Sequence, residues 1–296
     1  MAQQDASAVT SAGLGLGRVG IWSTTARFSE QRVEVAVELE QLGFKTLWIP
    51  GGVDSGVLEV LDRLLDATST LNFATGIINV WKHEPSDLAA WWHAHSPERQ
   101  ARLFLGLGIS HGPLIGEAWQ KPVAKMGEFL DGIAEHGMPR EHLCLAALGP
   151  KMLQLAAART AGAHPYMVST RHTAFARKIM GPDAVLAPEQ GVVLESDPQK
   201  AREIGRGIVR HYARLPNYTN NWRRDGFTDE EIANLSDRLV DDLIAWGDLE
   251  AVAARVEEHL AAGADHVCLQ AIGPGGMASP DIDRDRQTWR KLAQIL

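Results

Sequence analysis

The chain has 296 residues, a formal net charge of −8, 45% hydrophobic and 22% charged residues. An acidic chain without a Lys/Arg block argues against an electrostatic nucleic-acid binder, and no apolar run approaches the ~20 residues that span a bilayer. The length suffices for one large core, so a single domain over residues 16–296 is expected. Cys144 and Cys268 both fall in apolar runs, which suits buried free thiols and a reducing cytoplasm. Residues 1–15 are small and polar and, lacking the charged and apolar regions of a signal peptide, read as a disordered tail.

Taken in chain order, eight apolar runs ending in small or polar residues occupy residues 19–23, 46–52, 73–79, 103–108, 143–149, 164–169, 184–188 and 266–270. Near-continuous apolar strands alternating with helical patterns imply a parallel sheet covered by helices. Eight such units predict an α/β fold, a (β/α)8 TIM barrel, whose active site lies where the strands end. Residues 29–42 read as a helix capped by Ser29 and ended by Gly43. In the next helix Val57, Leu58, Leu61, Leu64 and Leu65 face the barrel, opposite Glu59, Asp62, Arg63 and Asp66. The rhythm breaks at about 214–246, a polar, aromatic-bearing insertion between the seventh and eighth strands, read as either a lid or a subunit contact.

Two turns suit an anion or a closely approaching ligand. Gly149-Pro150-Lys151-Met152 places glycine at a turn and proline at a first helical position, where backbone N–H groups are unsatisfied. Gly106 to Gly112 is rich in small residues, which let a ligand approach the backbone. The Gly13-x-Gly15-x-Gly17 run precedes the first strand and is no dinucleotide fingerprint.

Histidines are the proton-transfer candidates. His111 follows the fourth strand directly in a glycine-rich loop and is the best placed; His83 follows the third strand. His164 opens the sixth and reads equally as a core residue. His93 and His95 stand two apart on a helical pattern, pointing to different faces, which argues against a metal pair. Trp22, Trp48 and Trp81 lie at or near the ends of the first three strands. Trp22 and Trp81 can wall an apolar substrate pocket with Gly51 and His83, whereas Trp48 reads as packing between barrel and helices.

The strings Ala74-Thr75-Gly76-Ile77, Arg102-Leu103-Phe104-Leu105-Gly106-Leu107-Gly108, Ala147-Leu148-Gly149-Pro150-Lys151-Met152 and Ala262-Gly263-Ala264-Asp265-His266-Val267 resemble the bacterial-luciferase-like oxidoreductases, within them the branch dependent on the deazaflavin coenzyme F420. The resemblance runs from about residue 16 to 273. It implies a non-prolyl cis peptide at Gly76-Ile77 backing the deazaflavin ring, with Asn79 nearby. It also implies cofactor contacts from Gly108, Ile109, Ser110 and His164, and a phosphate turn at Gly149, Pro150, Lys151 and Met152. His111 matches the position of a carboxylate in sugar-phosphate dehydrogenase relatives and is the implied catalytic residue. Those relatives carry an acidic-His pair after the second strand, where this chain has Pro50-Gly51-Gly52-Val53-Asp54, so their substrate does not carry over. The expectation is hydride transfer between the deazaflavin C5 and a small, apolar organic substrate by a cytoplasmic homodimer without metal, membrane or nucleic-acid partners. The competing readings are an FMN-dependent monooxygenase on the same fold and a non-catalytic flavin-binding relative.

Overall fold

The computed structural model describes residues 13–52, 54–116, 121–274 and 281–296. Among them ten strands form one parallel sheet: β1 (Val19–Trp22), β2 (Thr46–Gly51), β3 (Asn72–Asn79), β4 (Leu103–Gly108), β5 (Leu143–Leu145), β6 (Gly162–Ala163), β7 (Val185–Leu186), β8 (Glu189–Val193), β9 (Ile244–Trp246) and β10 (Val267–Ala271). Their order is β7-β6-β5-β4-β3-β2-β1-β10-β8-β9. β7, at one end of that order, and β8, next to last at the other, are separated in the chain only by Ala187 and Pro188. The sheet therefore curls until its ends meet. Backbone hydrogen bonds mark the seam: Ala187 N–H donates to Ala163 O (2.9 Å), Glu189 N–H to Pro165 O (2.8 Å) and Cys268 N–H to Pro188 O (3.0 Å).

Alternation along the strands separates two apolar layers. Ile21, Leu47, Ile49, Phe73, Leu103, Leu105, Leu107, Leu143, Leu145, Leu186 and Leu269 pack outward against the helices. Their in-strand neighbours Trp22, Trp48, Ala74, Phe104, Cys144, Val185 and Cys268 form a separate interior cluster. Trp48 thus lies inside the curled sheet, not between sheet and helices. The helix Val57–Ala67 buries Val57, Val60, Leu61, Leu64 and Leu65 as its apolar spacing requires, while Leu58 is half-buried.

Several sequence expectations are corrected. The helix expected from Ser29 begins at Arg32, and the Ser29 hydroxyl instead accepts the Gln31 N–H; Gly43 does end the helix, at φ +95°. The sixth strand lies at Gly162–Ala163, ahead of the expected 164–169, because Pro165 has no N–H to donate to a ladder. The seventh does not stop at Pro188 but resumes as β8. The 214–246 segment folds as helices Pro216–Arg224, Asp229–Ala233 and Asp237–Leu243, followed by β9, which adds to the edge of β8. Of the expected tail, residues 1–12 lie outside the described residues; Gly15 O accepts a hydrogen bond from Asn72 Nδ2 (2.7 Å), and Leu14 packs on the interior cluster.

Candidate active site at the strand ends

The end of β3 is built around bare backbone. The Gly76-Ile77 peptide is cis, as the resemblance implies, and the β2 and β4 registers shift around it. A Cβ on Gly76 would stand 2.4 Å from Trp22 Nε1 and 2.8 Å from His164 Nε2; one on Gly108 would stand 2.3 Å from Ile77 Cγ1. Such distances exclude any larger residue without rearrangement, so glycine is what lets β1, β3, β4 and the β6 end converge. Gly76 and Ile77 retain partial exposure.

Trp22 Nε1 and His164 Nε2 are both buried without a hydrogen-bond partner among the described residues. His164 Nδ1 lies 2.7 Å from Ala187 O, a carbonyl that can only accept, so Nδ1 carries the proton and Nε2 presents a lone pair. Burial pushes His164 down to about 4, against the raising effect of that carbonyl, so the ring is neutral at pH 7. Its ring stacks on Trp48 (centroids 4.1 Å, 21° between planes), and Trp48 Nε1 donates to His266 Nε2 (3.0 Å).

Asn79 ties the neighbouring loops together: its Nδ2 donates to Gly52 O (3.2 Å) and its Oδ1 accepts the Trp81 N–H (3.0 Å). Trp81 Nε1 donates to Ile109 O (2.8 Å), and Ser110 follows with φ +60°. His111 then begins the short helix Gly112–Ile115. Its ring lies 5.6 Å from Tyr218, its Nδ1 is buried without a hydrogen-bond partner among the described residues, and burial, the largest influence, lowers its pKa below the usual 6.5. His83 is half-buried near Asp54 and Asp87, and desolvation lowers it as well.

The remaining expected residues are dispersed. A Cβ on Gly51 would meet the Val57 side chain at 3.0–3.1 Å, so Gly51 faces the outer helix layer and not the interior. Gly149 precedes the helix Pro150–Arg159, whose first turn carries no acidic residue, and nothing lies within 4 Å of a Cβ placed there. Pro150 and Lys151 are exposed, whereas Met152 packs into the outer apolar layer.

Sequence reasoning missed a polar aromatic group above the interior cluster. Tyr166 lies 5.5 Å from Trp22 and 5.1 Å from Tyr212, which lies 4.7 Å from Tyr218. Tyr166 O–H donates to Gln270 Oε1 (2.7 Å), and the Tyr166 and Tyr212 hydroxyls are hydrogen-bonded to each other. Beneath them Glu189 is buried at 1% exposure, and desolvation pushes its carboxyl up to about 8. Tyr212 ends the helix Pro198–Tyr212, and Tyr218 comes from the insertion helix Pro216–Arg224, so the insertion adds Tyr218 to this group. The signal available in sequence was Glu189 itself, an acid directly after an apolar strand.

Comparison with known proteins agrees with this geometry. Residues 14–136 match the family model of the luciferase-like monooxygenases, a stretch that includes Trp22, Gly76, Ile77, Gly108 and His111. An F420-dependent secondary alcohol dehydrogenase in complex with an F420-acetone adduct superposes with a TM-score of 0.70 at 14% identity, covering 94% of this chain and 98% of that one. The coenzyme F420 dependent tetrahydromethanopterin reductase from Methanopyrus kandleri superposes at 0.66 and 16% identity, with the same coverages. The oxygenating constituent of 3,6-diketocamphane monooxygenase from Pseudomonas putida, in complex with FMN, gives 0.66 at 12% identity over 94% and 96%. No curated protein matches by sequence. Residues 14–136 thus match the luciferase-like family by sequence, and nearly the whole chain shares the fold of these structures. No helix among the described residues is long and apolar enough to cross a membrane.

Proposed function

We propose that the chain is an F420-dependent oxidoreductase built on a (β/α)8 barrel over residues 16–296, with β7 and β8 counted as one bent strand and β9 as part of the insertion. The observation that carries this reading is the glycine-built end of β3 with an unpartnered indole N–H and an unpartnered imidazole nitrogen beside it. Buried polar atoms without partners call for a ligand or water, and a donor beside an acceptor fits the alternating carbonyl and N–H edge of a flavin or deazaflavin. Gly76, Ile77, Gly108, Ile109 and Ser110 would back the ring, His164 and Trp22 would meet its polar edge, and Gly149 to Met152 would hold the phosphate. The deazaflavin, when bound, supplies a hydride donor or acceptor at C5.

The protein's part is to fix the substrate against the ring and to handle the accompanying proton. His111, whose ring lies beside Tyr218 just past the end of β4, would meet the substrate oxygen and orient it. Trp22, Trp81, Tyr212 and Tyr218 make the surroundings largely apolar, which suits a small uncharged organic substrate. A homodimer in the cytoplasm remains part of this proposal.

The test is a tryptophan-fluorescence titration with F420 and, separately, with FMN. Preference for F420 supports the deazaflavin reading. Preference for FMN moves the chain to monooxygenase chemistry, and binding of neither makes it a non-catalytic relative. His111→Ala is expected to keep F420 binding and to lower alcohol oxidation ~10²-fold, the order of loss a misplaced substrate brings; unchanged turnover would remove its role.

A further inference from the structure

Glu189 is a carboxyl group in the barrel interior for which packing gives no account. It stands in register with Cys268, and Cys268 with Gly20; residues in register on parallel strands share a face, so Glu189 points inward as Cys268 does. Its Oε2 accepts the Met167 backbone N–H (3.1 Å), while Oε1 is buried and has no partner among the described residues. Oε1 lies 3.7 Å from the position a Cβ on Gly191 would take, and Gly191 is in register with Gln270, itself in register with Trp22. The carboxyl therefore reaches from its own level toward the level of Trp22, Gln270 and Tyr166, where the candidate site begins.

The titratable groups that face it are Tyr166, Tyr212, Tyr218 and Cys268, none of them a cation. An unpaired buried carboxylate is costly and the neutral acid is the form such surroundings favour. With Oε2 occupied by an N–H donor, the proton sits on Oε1. His111 and His164 are neutral at pH 7, and the N–H of a neutral imidazole is a far weaker acid than a carboxyl group; Glu189 holds the acidic proton.

Resting on the hydride-transfer reading, we propose that Glu189 is the proton donor of the site and that its substrate in the reducing direction is an uncharged ketone or aldehyde. Reduced deazaflavin gives a hydride to the carbonyl carbon and is oxidised by two electrons, the Glu189 Oε1 proton goes to the carbonyl oxygen, and the alcohol leaves Glu189 as a carboxylate that solvent reprotonates.

The test combines Glu189→Gln, which keeps size and neutrality but cannot release a proton, with infrared spectroscopy of the wild-type chain carrying labelled glutamate. The expected results are a protonated-carboxyl band at pH 7 in the wild type, absent from E189Q. In addition, E189Q should bind reduced F420 as the wild type does yet oxidise it ~100-fold more slowly in single turnover with acetone or cyclohexanone, within the range for a general acid. Absence of the band, equal single-turnover rates, or no oxidation by either ketone in the wild type overturns the assignment. Failure of both proteins to bind reduced F420 overturns the hydride-transfer reading and the assignment with it, an outcome distinct from loss of the Glu189 role alone. The infrared band is read on the unmutated protein, so a folding defect in E189Q does not remove the test.

Discussion

The imidazole of His164 lies on the indole of Trp48, ring centroids 4.1 Å apart and 21° from parallel, and the same indole donates to His266. One buried tryptophan thus holds a candidate cofactor-binding histidine by its face and a second histidine by its N–H. His266 in turn reaches Gly17 O through Nδ1 (2.8 Å).

Trp48→Phe keeps much of the ring but leaves His266 Nε2 without its donor. A buried acceptor left unsatisfied costs ~1–3 kcal/mol, and truncation to Ala costs ~3–5 kcal/mol through the added cavity. Urea denaturation should rank wild type above W48F above W48A at an unchanged m-value. Equal midpoints for wild type and W48F would remove the hydrogen bond from the account.

Gly76→Ala should weaken F420 binding and lower the thermal midpoint together. The added methyl has to displace Trp22 Nε1 or His164 Nε2, and overpacking of this kind costs ~1–3 kcal/mol. Fluorescence titration and a thermal melt read the two effects. A fully retained affinity would separate the Gly76 region from the cofactor.

Gly149→Asp makes the opposite pair of changes. The position has open space, and an aspartate before the helix Pro150–Arg159 stabilises its N-terminus, typically by about 0.5–1 kcal/mol. The same carboxylate repels a bound phosphate. Stability should hold or rise while the F420 dissociation constant increases, and an unaltered constant would place the phosphate elsewhere.

Stability should fall on both sides of neutral pH, for different residues. His164, His172 and His266 are each lowered to about 4 and His259 to about 3, in every case chiefly by burial. The unfolded chain binds protons there first, so their contribution is present above about pH 6.5 and is lost as pH falls toward 4. Glu189, raised to about 8 by burial, behaves oppositely. The folded chain keeps a proton that the unfolded chain releases near its ordinary pKa of about 4.3, so stability is lost as pH rises toward 8. E189Q should flatten the alkaline side and steepen the acid side, where the Glu189 proton otherwise offsets part of the histidine effect, as read from urea midpoints at pH 5, 7 and 8.5. An alkaline slope that persists in E189Q would assign it to another group.

The first four strands were legible within about a residue, because each is a mostly apolar run closed by serine, glycine or asparagine. The other side of the barrel was not. β8 opens Glu-Gln-Gly, which reads as a loop, and only its pairing with β10 makes it a strand; β9 has three residues and disappears into the helical pattern around it. His111, Gly76 and His164 were singled out because strand ends are where such a fold gathers chemistry. Tyr166, Tyr212, Tyr218 and Gln270 were not, since they come from separate elements and meet only through tertiary packing. Gly51 was misjudged for a related reason: the irregularity between Ile49 and Gly51 breaks the alternation that would otherwise fix the side it faces.

The insertion has a consequence for how such a chamber changes over time. Its helices share one apolar cluster with the preceding helix Pro198–Tyr212 and with Met167, Val193 and Ile272, Tyr218, Trp222, Leu239 and Ile244 being the insertion's part of it, and its closing strand β9 is the outermost of the sheet order. Attached at a sheet margin, the insertion still grips the segment that follows His164, Trp222 Nε1 donating to Met167 O (3.2 Å) and Ser169 Oγ to Asp225 Oδ2 (2.8 Å). A change in the insertion is therefore felt first where β6 ends.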